Sequence, residues 1–191
     1  MTDSNQDLPF SHSFETRSLK TSRDTVFKLQ PNAEDCAAIA TALDTMLAAL
    51  EFIKGDQLAR PLGYRAKGKR ARPYLSEAWR SRYSTQSILA HLQSVQNLYL
   101  GNYSRITGYG FDDYLKDKDH QALHIKIDTL LNQLVDQAKV APTMFEAVQV
   151  DEQHEQLNKI YTGVEQLIKL VKYDMLVALD VQLGFNANDG D

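Results

Sequence analysis

The chain has 191 residues, of which 43% are hydrophobic and 24% charged, the balance of an ordinary globular protein of one domain plus a tail. Its single cysteine, Cys36, excludes an internal disulfide framework and any multi-cysteine zinc or iron–sulfur site. A net charge of −4 argues against a chain-wide polyanion binder, and no apolar run reaches the roughly 18 residues that would make a membrane span.

Residues 1–31 are polar, rich in Ser, Thr and Asp, and lack periodicity. They read as a disordered lead-in closed by Pro31. This stretch shows neither an apolar signal core nor a lipobox-like cysteine, so a cytoplasmic protein is expected if the start is genuine. Four helical patterns follow. In the first, Ile39, Leu43, Met46 and Leu50 share one face. Asn32 and Asp35 resemble an N-cap arrangement, and Gly55 and Pro61 are expected to end the helix. Cys36 falls near the buried stripe and reads as a small core residue. The second pattern places Ile88, Leu92, Val95 and Tyr99 on one face, with Gly101 after it. In the third, Leu123, Ile127, Leu130 and Leu134 align, and Pro142 lies beyond. The fourth runs through Leu157, Ile160, Val164, Leu167, Val171, Met175 and Ala178, with Gly163 inside it as a close helix contact or a bend. No strand pattern of comparable length appears. Residues 32–191 are therefore expected to form an all-α, up-down four-helix-bundle-like domain with long inter-helix loops. Its first two connections, of about 20 and 16 residues, are long enough to carry function.

Within the first connection, Arg60, Arg65, Lys67, Lys69, Arg70, Arg72, Arg80 and Arg82 face a single acid, Glu77. Such a segment could attract phosphate, nucleic acid or another acidic partner, the simpler reading being a solvated loop whose charges neutralise acidic neighbours. Nucleic acid is not expected, because neither a reading helix nor an aromatic sheet accompanies it. Extending the second helix's buried stripe backwards from Ile88 reaches Ser84, Ser81 and Glu77. Polar groups buried without partners cost about 1–3 kcal/mol each. These residues therefore predict a capped or solvated helix end, or a polar pocket at one end of the bundle. Arg80, three residues after Glu77, could reach it on a helix surface.

His120 and His124, four residues apart, could share a helix face and hold a metal with Asp117 or Asp119; surface histidines are the simpler reading. There is no HExxH. Gly108–Tyr109–Gly110 makes no phosphate loop. The terminal Asn186, Asn188, Asp189 and Asp191 are oxygen-rich without calcium-loop spacing.

Several segments together carry a resemblance: Ala59–Arg60–Pro61–Leu62–Gly63, Ser76–Glu77–Ala78–Trp79–Arg80–Ser81, Gly108 to Asp113, Leu183 to Asn186, and Asp189 to Asp191. From about residue 35 onward the sequence resembles the C-terminal half of the imelysin-like proteins, also called the M75 peptidase family. The resemblance implies an all-helical fold of two bundle-like halves with a cleft between them. It implies a periplasmic or cell-envelope protein, often a lipoprotein, associated with bacterial iron uptake. Iron or another divalent metal would then be bound by the full-length family fold. The family's Gly-x-His-x-x-Glu motif, proposed to bind metal in the N-terminal half, is not found in this sequence, and peptidase activity is not expected. The resemblance places Glu77, Trp79, Arg80 and Ser81 toward the cleft, and Ser84 joins them from the polar stripe. The expected function is one wall of an interdomain ligand or metal site. The facing surface would be a missing N-terminal half or a homodimer mate. Two alternatives stand beside it: a cytoplasmic helical adaptor using Arg60–Arg82 on an acidic partner, and a metallopeptidase.

Overall fold

The computed structural model describes the backbone of residues 33–65, 70–103, 106–147 and 150–180; side chains are described for these residues except 33–37, 103, 106–107 and 151. The lead-in, the Asn32 cap, the side chain of Cys36, Lys67 and Lys69, and the oxygen-rich C-terminus lie outside the described residues.

The fold is all-α. Helix α1 (Ala33–Phe52) is alanine-rich, which favours helix formation. It does not stop at Gly55. Its last turns widen into a π-helical segment, Ile53–Ala59. A Cβ at Gly55 would collide with the guanidinium of Arg65, so glycine here admits the arginine rather than ending the helix. A 3-10 turn, Pro73–Leu75, and an irregular stretch lead to α2 (Ser84–Tyr99). A hairpin of two-residue strands follows, β1 (Asn102–Tyr103) antiparallel to β2 (Ile106–Thr107). The short α3 (Phe111–Asp117) then precedes α4 (Gln121–Lys139). The four-residue α5 (Met144–Ala147) is capped reciprocally. Thr143 N–H donates to Glu146 Oε2 at 2.9 Å, and Glu146 N–H donates to Thr143 Oγ1 at 3.3 Å. Helix α6 (Asp151–Lys169) passes through a second π-helical segment, Leu170–Met175, into α7 (Leu176–Leu179). Asp180 ends it in the left-handed region, with φ 54°.

Helix α1 packs on α2 and α6, α2 on α4, and α4 on α6, which closes a four-helix ring. Leu43, Met46, Leu50, Ile53, Ile88, Leu92, Val95, Tyr99, Ile127, Leu134, Leu157, Ile160, Val164, Leu167, Val171 and Met175 are buried in one core. Burying each large aliphatic side chain contributes about 1.5–3 kcal/mol. The face of α4 differs from the expected one. Leu131, Val135 and Ala138 are buried, while Leu123 and Leu130 stay at the margin. Gly163 marks a close helix contact, because a Cβ there would lie 2.7 Å from Leu134 Cδ2.

Candidate functional site

The π-helical turn decides the site. Continuing the buried stripe of α1 by four residues from Ile53 lands on Gln57, and the widened turn leaves this polar side chain only 2% exposed. A buried amide needs partners. Gln57 Nε2 donates to Glu77 Oε2 at 2.8 Å and to Ser87 Oγ at 3.1 Å. Ser87 Oγ also donates to Glu77 Oε2, at 3.1 Å. On the other side of the amide, Gln57 Oε1 lies 3.2 Å from Nδ1 of His91, so the imidazole carries its proton there and donates. The Phe52 ring meets the His91 ring edge-on at 5.6 Å. Gln57 thus holds a carboxylate, a hydroxyl and an imidazole in one network, built by the π-helical segment after α1, the irregular stretch that carries Glu77 and the N-terminal half of α2.

The expected helical stripe through Glu77 and Ser81 does not form. Helix α2 begins only at Ser84. Ala78 and Arg82 take left-handed backbone conformations, φ 52° and 60°, which interrupt any helix between them. Ser84 is buried as expected. Its hydroxyl lies 2.6 Å from the Glu77 carbonyl oxygen and 3.0 Å from Ser76 Oγ. Ser76 itself donates to the Pro73 carbonyl at 2.6 Å. These bonds close the turn that delivers Glu77 to Gln57. Glu77 and Ser81 are exposed rather than buried, and Ser81 donates to the Ala78 carbonyl of its own turn at 3.0 Å. Arg80 does not reach back to Glu77 on a helix; its guanidinium lies 5.3 Å from the centre of the Trp79 ring. Trp79 in turn packs against Phe145 of α5, centroids 6.2 Å apart. The structure therefore brings Glu77 and Ser84 into one cluster, pairs Trp79 with Arg80 beside it, and leaves Ser81 as a turn residue.

Gln57, Ser87 and His91 carry no motif. The signal for Gln57 is periodicity alone: a polar residue extending an apolar stripe, the same signal that marks Ser84.

The two histidines of α4 part ways. His120 sits before the first turn, outside helical geometry, and is exposed. His124 Nδ1 lies 3.0 Å from the hydroxyl of fully buried Tyr99, and the two rings are near-parallel. Burial raises the Tyr99 phenol above its usual pKa, and the carboxylates of Asp112, Asp128 and Asp113 push the same way. The phenol therefore stays protonated and shares one hydrogen bond with His124 Nδ1. Among the described residues, no three His, Cys, Asp or Glu side chains stand where they could hold one metal ion. A raised phenol pKa has a sign: above pH about 10 the unfolded chain loses the proton that the folded chain keeps, so stability falls as pH rises. In Tyr99→Phe, urea titrations between pH 9 and 11 should show a flatter alkaline fall than in the parent.

These features define an all-helical bundle domain with a polar cluster where α1 ends and α2 begins. The model of the imelysin family, peptidase M75, matches residues 11–171 of the 191, and the chain belongs to that family. The matched stretch takes in part of the segment set apart above as a lead-in. No curated protein and no solved structure matches the chain. No helix among the described residues is long and apolar enough to cross a membrane.

Proposed function

We propose that this imelysin-family domain is a binding module of a bacterial cell-envelope, iron-uptake-associated protein, and not a peptidase. Its Glu77 face forms one wall of a ligand or metal cleft. A second imelysin-type half, or a second copy of the chain, supplies the opposite wall. The observation that carries this reading is the buried Gln57 amide. It anchors Glu77 Oε2 by direct hydrogen bond and through Ser87, and among the described residues Glu77 Oε1 takes no hydrogen bond. A carboxylate fixed through one oxygen and free at the other is a preorganised ligand for a cation or a donor group. Arg80 and Trp79 beside it supply a charge and an aromatic wall, and Ser84 holds the turn.

Calorimetric titration with ferrous, ferric, zinc and calcium ions tests this reading. One of these ions is expected to bind the parent chain stoichiometrically, and Glu77→Gln is expected to weaken that binding by at least about tenfold, the loss of one charged ligand bond of roughly 1.4 kcal/mol or more. Absent binding, or binding unchanged in Glu77→Gln, would overturn it. Proteolysis by the purified chain that a chelator abolishes would restore the metallopeptidase alternative.

A further inference from the structure

We propose that residues 70–83 form a docking surface for an anionic phospholipid bilayer. The proposal does not rest on the cleft reading.

This segment carries Arg70, Arg72, Arg80 and Arg82 with Tyr74, Trp79 and Tyr83. The four arginines are exposed. Tyr74 is 54%, Trp79 38% and Tyr83 63% exposed, placing three of the large exposed rings of the described chain within 14 residues. None of the four arginines forms an ion pair among the described residues. Arg80 lies over Trp79, and Arg82 is close enough to Glu146 to help lower its pKa, behind the larger effect of the Thr143 hydrogen bonds. Glu77, the one acid of the segment, has its Oε2 engaged by Gln57 and Ser87. The segment therefore offers guanidinium groups together with amphipathic rings. Guanidinium groups bind phosphate in a planar fork. Tyrosine and tryptophan settle at headgroup depth, the polar edge in water and the ring against acyl chains.

The backbone holds this surface in place before any ligand arrives. Arg72 N–H donates to the Pro61 carbonyl, Leu75 N–H to Arg72, and Arg82 N–H to Trp79 at 3.3 Å. Ser76 and Ser84 tie the turn internally. The left-handed residues Ala78 and Arg82 keep Trp79 to Arg82 as a turn instead of a first turn of α2. Little further ordering is needed on docking, so most of the contact energy is retained. One 14-residue segment is small for a stable protein interface, which covers about 800 Å² per partner. It also presents no helix to a nucleic-acid groove. A lipid surface needs neither a large patch nor a groove, and adds about 1 kcal/mol for each basic residue near it, roughly fivefold in partitioning.

Trp79 is the only tryptophan, so its emission reports on this segment alone. The full chain is titrated with vesicles of equal parts phosphatidylglycerol and phosphatidylcholine. The expected result is a blue-shifted emission and protection from acrylamide. Both should be lost with pure phosphatidylcholine and when salt is raised from about 0.1 to about 1 M, where screening shortens from about 10 to about 3 Å. Arg70→Ala and Arg72→Ala should each weaken partitioning about fivefold, and Tyr83→Ala should weaken it without altering the salt dependence. Circular dichroism of each variant separates lost binding from lost folding. Glu77→Gln should still bind vesicles, which keeps this test separate from the metal titration. Emission that does not move, a shift equal on neutral vesicles, or partitioning untouched by both arginine variants would overturn the proposal. An oligonucleotide that shifts Trp79 where vesicles do not would do the same, and would assign the segment to nucleic acid.

Discussion

Gly63→Ala is expected to destabilise the domain by about 3 kcal/mol or more and to lower its melting temperature by on the order of 10 °C. Gly63 is buried with φ +82°, a conformation that costs an alanine roughly 1–2 kcal/mol by itself. A Cβ there would also collide with the carbonyl of Arg70. That atom is backbone, so no rotamer change relieves the clash. The chain must open between residues 61 and 72, where the Arg72 N–H to Pro61 carbonyl bond of 2.6 Å holds it shut. The same closure seats the 3-10 turn and Glu77 over Gln57. Thermal unfolding followed by circular dichroism measures the loss. A melting temperature within about 2 °C of the parent would show that the closure is not needed for stability.

Gln57→Glu is expected to cost about 2–4 kcal/mol at pH 7 and to recover most of that in acid. The substitution keeps the side chain's shape but replaces the donating amide, 2.8 Å from Glu77 Oε2, with a second carboxylate. Two carboxylates at that distance cannot both ionise cheaply, so the pair titrates with one pKa raised by as much as about 3 units, each unit being about 1.4 kcal/mol. The sign follows from linkage. An acid whose folded pKa exceeds its unfolded value of about 4.3 destabilises the fold above that unfolded value, and the penalty fades as pH falls through the raised pKa. Urea midpoints at pH 7 and pH 4.5 should therefore diverge from the parent at the first and approach it at the second. Equal stability at pH 7 would mean that Gln57 and Glu77 do not share a hydrogen bond in solution.

The binding reading and the vesicle proposal share Trp79 and Arg80 but draw on different physics. The first depends on a carboxylate held by a buried amide. The second depends on exposed guanidinium groups and rings. A chain that passes one test and fails the other would assign the segment from Arg70 to Ser84 to a single role.

The amino-acid sequence by itself determined the helical class and most of the core. Leu43, Met46 and Leu50, Ile88, Leu92, Val95 and Tyr99, and the long stripe from Leu157 to Met175 are all buried where a 3.6-residue period puts them. Local periodicity suffices there because each helix buries one face whatever its partner. It also marked Ser84 as a polar residue on an apolar face, and the resemblance in Ala59–Gly63 and Ser76–Ser81 pointed to the family. Tertiary structure alone decided the rest. Gly55 does not end α1, because the chain continues through it as a π-helical segment, and the glycine lies against the Arg65 guanidinium. Helix α2 starts at Ser84 rather than at Glu77, because Ala78 and Arg82 turn left-handed to bring Glu77 back onto Gln57. The i, i+4 spacing of His120 and His124 does not by itself place both on one helix face, because the helix begins after His120, and Tyr99 engages His124 Nδ1. In each case the deciding contact joins residues 10 to 25 positions apart in sequence, a separation at which periodicity along one helix carries no information.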